Sequence, residues 1–387
     1  MAVADIVPFT VAVPDDVLDD LRARLARTRL PNQLTGVGWG EGTELRFLAD
    51  LLDHWRDGFD WRAAEARLNA LDHFTTTIDG QRIHFVHQRS PEPDAVPLLI
   101  SHGWPGSIVE FLDVIGPLTD PRAHGGDPAD AVHVIAPSIP GYAFSGPTTE
   151  PGWHPRRVAA AYVELMAALG YDRYAVQGGD WGSVIGANVA DLDPAHVLGL
   201  HLNFLIVPAP DDVDPAELGP EDVAGLTAMR DWRATGVGYQ EIQGTKPQTL
   251  GYALEDSPAG LCAWIVEKFG AWSDGGPDPT VAFTRDQLLT NVMVYWATAT
   301  ATSSVRLYHE MRLVGRDALP QGFVDVPTGV ANFPAEVTRT PRAWAERRYR
   351  IVHWTEQPRG GHFAAMEQPD LFVDDLRAFL RPLRGTA

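Results

Sequence analysis

One cysteine occurs in 387 residues. Cys262 has no intrachain partner, which excludes a disulfide framework. A lone thiol beside Leu261, Ala263 and Trp264 fits a packed helix in a reducing compartment. Basic residues are scarce as well: 31 Lys and Arg stand against 51 Asp and Glu, a formal net charge of −20. That balance argues against nucleic acid, which needs clustered Lys and Arg, and identifies no substrate by itself. No apolar run reaches the roughly 18 residues that cross a bilayer. Met1 to Val13 has neither a basic start nor an apolar stretch of signal-peptide length. An unanchored, cytoplasmic protein is expected, with no membrane partner. Solenoid or propeller repeats and low-complexity tracts are missing too. No Cys/His set has zinc spacing, no Walker-type loop occurs, and no Gly-x-Gly-x-x-Gly follows a strand, so neither metal nor cofactor is implied.

Hydrophobic periodicity is plentiful. Val17, Leu18, Leu21, Leu25 and Leu30, then Leu45, Phe47, Leu48, Leu51, Leu52 and Trp55, fall at helical spacing. Pro31 and the Gly-rich run 36–42 separate the two sets. Phe74 to Ile78 and Ile83 to His87 are rich in β-branched and aromatic residues around Asp79-Gly80, the pattern of a hairpin. Short apolar runs follow at 97–101, 132–136, 174–177, 199–203 and 350–354, with helical stretches between several of them, such as 157–169 and 183–190. That alternation indicates an α/β fold with a mostly parallel central sheet and helices on both faces. From about Pro208 to Arg312 the strand signal disappears and returns at 325–329. Four parts are expected: an N-terminal helical extension at 1–72, the first half of the core at 73–207, an inserted helical cap at 208–312, and the second half of the core at 313–387.

The strongest local signal is Val176-Gln177-Gly178-Gly179-Asp180-Trp181-Gly182-Ser183. A strand enters a sharp turn, a helix follows, and Gly178 and Gly182 lie two residues either side of Asp180. This is the spacing of a nucleophile elbow in the α/β-hydrolase fold, with Asp at its centre. Ser183 is flanked at the same spacing by Trp181 and Ile185, too bulky for that turn. Asp180 could otherwise serve only as a helix cap. A carboxylate nucleophile attacking saturated carbon gives an ester that water can cleave, whereas serine would give an ether. The elbow therefore suits epoxides or alkyl halides.

His102-Gly103-Trp104-Pro105-Gly106-Ser107 follows a strand and can supply a backbone N–H to an oxyanion hole. The candidate donors are Trp104 and Trp181. Gly360-Gly361-His362-Phe363 comes after the last strand, where the base of this fold belongs, while His353 within that strand has a packed or surface position. Asp325 and Glu336 are both placed to orient the base. A phenol can protonate the departing oxygen of an epoxide. Tyr239, Tyr252, Tyr295 and Tyr308 all lie in the helical block, and spacing does not choose among them.

These motifs together resemble the microsomal-type epoxide hydrolases, in the branch with an N-terminal helical extension. The resemblance runs through Phe59-Asp60-Trp61-Arg62, Leu68-Asn69, Ile83-His84-Phe85, the 102–107 and 178–183 motifs, Pro140-Gly141-Tyr142-Ala143-Phe144-Ser145, and Gly360 to Ala365. It implies Glu336 as the triad acid, through Phe333-Pro334-Ala335-Glu336. It implies Tyr239, ahead of Thr245-Lys246-Pro247, and Tyr308, after Ser303-Ser304-Val305-Arg306, as the acid pair. Asp180, His362, Glu336, Tyr239 and Tyr308 are thus the expected catalytic set, turning an epoxide and water into a vicinal diol without a cofactor. Membrane-bound members carry an N-terminal anchor; this chain starts at the extension, so a soluble enzyme is expected. Its Ala-, Arg- and Pro-rich composition suggests a high-GC bacterium, where such relatives often serve natural-product (antibiotic) pathways. A haloalkane dehalogenase would share the elbow, and a non-catalytic ligand-binding protein could share the fold. Substrate identity and assembly, including a homodimer, stay open.

Overall fold

The computed structural model describes residues 5–210 and 218–386; part of the expected helical block, 211–217, lies outside the described residues. Among the described residues nine strands form one sheet, in the order β1-β2-β3-β5-β4-β6-β7-β8-β9. They are β1 Val7–Phe9, β2 His73–Ile78, β3 Gln81–Gln88, β4 Val96–Ser101, β5 Val132–Pro137, β6 Tyr174–Gly178, β7 Val197–Leu202, β8 Val324–Asn332 and β9 Tyr349–Glu356. The first three pairings, through β3 with β5, are antiparallel; from β5 to β9 all are parallel. The parallel strands β4 to β7 are apolar almost throughout, as strands covered on both faces must be.

Among the described residues three α-helices precede β2: α1 Asp15–Leu25, α2 Leu45–Asp57 and α3 Trp61–Leu68. Their starts are set locally. Glu44 accepts from the Phe47 N–H at 2.6 Å and Asp60 from that of Ala63 at 3.1 Å, each satisfying an amide that has no partner within its helix. Within the core half lie α4 Ile115–Thr119, α5 Pro155–Ala168 and α6 Asp180–Leu192. Between β7 and β8 come α7 Pro220–Thr235, α8 Gly238–Thr245, α9 Pro247–Asp256, α10 Pro258–Ala271, α11 Arg285–Thr298 and α12 Ala301–Val314, and no strand occurs there among the described residues. The chain closes with α13 Arg342–Ala345, α14 Ala364–Glu367 and α15 Pro369–Leu380.

Side chains of adjacent strand residues point to opposite faces. On β7, Gly199 lies against Phe379 of α15, while Leu200 meets Gly186 of α6. The sheet is therefore covered on both sides. The chain runs from β4 to one side, to β5, and from β6 to the other, to β7, so the loops after β4 and β6 diverge. A crevice forms at such a switch in strand order, at the carboxyl ends of the strands. Ser101 and Gly178, the last residues of β4 and β6, are paired in register, and the motifs beginning at His102 and Gly178 both open into it.

The N-terminal helices also touch the inserted ones. Arg24 donates to the carbonyl and carboxylate of Asp256 at 2.7 and 2.8 Å, Thr43 donates to the Ala263 carbonyl at 2.9 Å, and His54 Nε2 meets Asp286 at 2.7 Å. No helix of the described residues is long and apolar enough to cross a membrane.

Candidate active site

The elbow is as tight as its glycines suggest. A Cβ on Gly178 would overlap the Gly182 carbonyl, and one on Gly182 would overlap the Ser101 carbonyl. Asp180 has φ 46°, a conformation uncommon for a side-chain-bearing residue and a known mark of functional turns. The helix begins at Asp180, three residues earlier than periodicity indicates, with Gly179 in the capping position. Asp180 is thus not the cap. Ser183 is turned away, its hydroxyl donating to the Asp180 carbonyl at 2.7 Å.

Asp180 Oδ1 accepts the Trp104 N–H at 2.8 Å, and Oδ2 lies 3.4 Å from His362 Nε2. His362 Nδ1 meets Glu336 Oε1 at 2.7 Å, and that oxygen also accepts the Val337 N–H at 2.7 Å. An ionised carboxylate only accepts, so the proton between this pair sits on Nδ1. Glu336 and His362 are both buried, whereas Asp325 is exposed, far from this arrangement. Burial opposes charge on His362. The Glu336 carboxylate beside it and Asp180 ahead of it outweigh burial and hold the imidazole well above its ordinary value. His353 is occupied elsewhere, 3.1 Å from Asp375.

The 102–107 loop is held by α11. Asn291 Nδ2 donates to the Pro105 carbonyl at 2.8 Å, Ser107 donates to Asn291 at 2.7 Å, and Tyr295 donates to the Gly106 carbonyl at 2.5 Å. That commits Tyr295 to the loop. Tyr252 is 73% exposed. Tyr239 on α8 and Tyr308 on α12 instead join Asp180 and Trp181 in the lining of a cavity of about 390 Å³. Their rings are 5.8 Å apart, with Trp104 stacked on Tyr239 at 5.3 Å and Trp181 edge-on to Tyr308 at 4.8 Å. The Tyr239 oxygen accepts from Gln240 Nε2 at 2.8 Å, which leaves its own proton for another acceptor. Burial first, and then Asp180 for Tyr239 or Tyr239 for Tyr308, pushes both phenols above their usual value, so both carry their protons. Val184, Ala187, Phe204, Leu205, Ile206 and Met311 supply an apolar wall. Trp181, in the first turn of α6, has its amide among the N–H groups that a helix start leaves without intrahelical partners.

Known proteins resemble this chain along nearly its whole length. A model of the epoxide hydrolase N terminus matches residues 6–111, and one of the α/β hydrolase fold matches 96–219. A Stigmatella aurantiaca protein assigned as an epoxide hydrolase is 46% identical, over 98% of this chain and 86% of its own. Epoxide hydrolase 1 of Sus scrofa is 39% identical, over 96% and 88%. The crystal structure of juvenile hormone epoxide hydrolase from the silkworm Bombyx mori superposes with a TM-score of 0.91 at 33% identity, covering 99% of this chain and 96% of that one. The chain belongs to the epoxide hydrolase family.

As an epoxide hydrolase it is a hydrolase acting on ether bonds. Its site also holds residues that sequence reasoning passed over. Glu110, Gln177 and Asn203 line a second, smaller cavity with Asp180 and His362. Glu110 lies eight residues beyond His102, and only its nearness to that motif set it apart from the other acidic residues. Lys268 is buried, its Nζ 4.5 Å from the Tyr239 ring centre. No cluster of His, Cys, Asp and Glu suited to a metal occurs among the described residues.

Proposed function

We propose that this epoxide hydrolase opens its substrate through a covalent ester on Asp180. The observation that carries the reading is one imidazole, His362, spanning Glu336 at 2.7 Å and Asp180 at 3.4 Å beside a cavity that two protonated phenols line. Oδ1 of Asp180 is engaged by the Trp104 amide at 2.8 Å, so Oδ2, held more loosely at 3.4 Å from His362, is the nucleophile. It attacks a ring carbon while Tyr239 and Tyr308 hold the epoxide oxygen, one of them giving it a proton. The imidazolium returns that proton to the phenol. Esterification also removes the Asp180 charge that helped keep His362 protonated, and the neutral imidazole can now take a proton from water.

The water oxygen bonds to Cγ of Asp180 as its proton moves to His362. Negative charge develops on Oδ1, against the N–H groups of Trp104 and Trp181. The bond from Cγ to the alkyl oxygen breaks, the proton of the new carboxyl passes to the departing alkoxide, and a vicinal diol leaves with the starting charges restored. The helices between β7 and β8 act as the cap. A largely apolar cavity of about 390 Å³ suits a medium-sized hydrophobic epoxide.

A single turnover in oxygen-18 water tests this. Label is expected in the Asp180 carboxylate, located by peptide mass spectrometry, with an unlabelled first diol. Label in that first diol would replace the ester with direct hydration.

A further inference from the structure

Asp180 belongs to the linings of two cavities, and among the described residues it is the only one that does. The second has a volume of about 20 Å³. A buried water needs about 10–15 Å³ and two to four polar partners, so this chamber has room for one water and none for an epoxide. Besides Asp180 and His362, its polar wall includes Glu110, Gln177, Asn203 and His102.

These groups are not equally free. His102 Nδ1 is bonded to the Gly103 carbonyl at 2.9 Å, and its Nε2 accepts the Ile139 N–H at 3.3 Å. Burial lowers it to about 4, so it is a neutral imidazole with both nitrogens used. Gln177 Nε2 donates to Asn203 at 2.8 Å, and its carbonyl oxygen is buried with no hydrogen-bond partner. Glu110 turns its carboxyl toward Gly106: a Cβ there would overlap Oε1, so the glycine leaves room for the acid. The chamber therefore offers one base, His362, and two spare acceptors, Glu110 and Gln177.

We propose that Glu110 is a water-holding residue: its carboxyl oxygen accepts one hydrogen of the water in this chamber while His362 takes the other, aiming the water oxygen at Cγ of the Asp180 ester. The inference rests on the ester reading above. In the step, the O–Cγ bond forms, one water proton goes to His362 Nε2, the Cγ–alkyl oxygen bond breaks, the second water proton passes from the new carboxyl to the departing alkoxide, and Glu110 neither gains nor loses a proton. Its environment suits that role. Burial raises Glu110 to about 8, with Asp180 adding to the rise against the pull of His362 and the Ser107 amide. A neutral carboxyl keeps a carbonyl acceptor and puts no second anion beside the nucleophile.

Rapid mixing of the full chain with excess styrene oxide, acid quenching and intact mass measurement separate ester formation from ester decay. In Glu110→Leu, formation should stay within about threefold of wild type while decay slows about 30-fold and ester accumulates. Glu110→Gln keeps a carbonyl acceptor and should recover about tenfold of that loss. If the Leu variant does not fold, Glu110→Asp withdraws the carboxyl by one methylene and should slow decay about tenfold. Unchanged decay in the folded Leu or Asp variant, equal losses in formation and decay, or a Gln variant as slow as Leu would each overturn the assignment. His362→Gln, run alongside, keeps the two ideas apart. Ester trapped there with wild-type decay in the Glu110 variants sinks Glu110 alone; no ester trapped in His362→Gln sinks the ester reading itself.

Discussion

Two buried carboxylates in this enzyme each hold histidine, and they are built differently. Asp375, on α15, accepts from His201 Nε2 at 2.8 Å, His353 Nε2 at 3.1 Å, Thr355 at 2.5 Å and Gln357 at 3.1 Å. Burial opposes its charge, yet the donors hold its carboxyl below the usual range. Those bonds fasten β7, β9 and α15 to one another. Glu336 accepts from His362 and the Val337 amide through one oxygen, and its other oxygen is buried with no partner. His362 then faces Asp180, the residue that lines both cavities, at 3.4 Å, longer than a good hydrogen bond. The same residue types make a fastening where both carboxylate oxygens are bonded and a proposed reactive centre where one is left without a partner.

The comparison can be broken in order of expected effect. Asp180→Ala should lower kcat by about 10⁴-fold or more in steady-state assays, with a melting temperature close to wild type. His362→Gln should cost about 10³-fold in turnover and leave ester visible by mass, because in the proposed mechanism only the second step uses His362 as a base. Tyr239→Phe with Tyr308→Phe should slow ester formation by about 10³-fold in single-turnover measurements, each single change costing less. Halide release from chloroalkanes that survives this double change would instead favour dehalogenase chemistry.

Asp375→Ala should invert the pattern, destabilising by about 3 kcal/mol in denaturant melts while kcat/KM at 25 °C stays within about twofold. Its pH dependence has a definite sign. A depressed carboxyl contributes its stability above its unfolded value, about 4, and loses it as pH falls through the folded one. The gap between wild type and Asp375→Ala should therefore narrow in acid. A large activity loss in a stably folded Asp375→Ala would erase the contrast.

How far these features could be read in advance depends on how local they are. The elbow is local: strand, paired glycines, Asp180 and helix lie within a few residues, and backbone sterics demand them. The hairpin of β2 and β3 and the alternation of strands with helices are legible for the same reason. The edge strand β1 went unread, because three residues are too few to show a period, and its partner β2 lies more than 60 residues away. The choice of Glu336 over Asp325, and of two tyrosines among four, came from family resemblance. Physically it depends on which loops meet at the crevice, a fact of topology that no short window contains. Glu110 was missed for that reason: its environment is made by residues from 101 to 372.

The bonds from Arg24, Thr43 and His54 to the inserted helices have a consequence for anyone hoping to change what this enzyme accepts. Those ties reach α9, α10 and α11, so swinging these three helices aside would break them; α8 and α12, which carry Tyr239 and Tyr308, are not among the helices they reach. On α8 and α12 themselves, exposed Glu241 and Arg312 meet at 2.8 Å in the lining of the cavity of about 390 Å³, like a doorpost. Selection for new substrates should begin at that doorpost and leave the three ties alone.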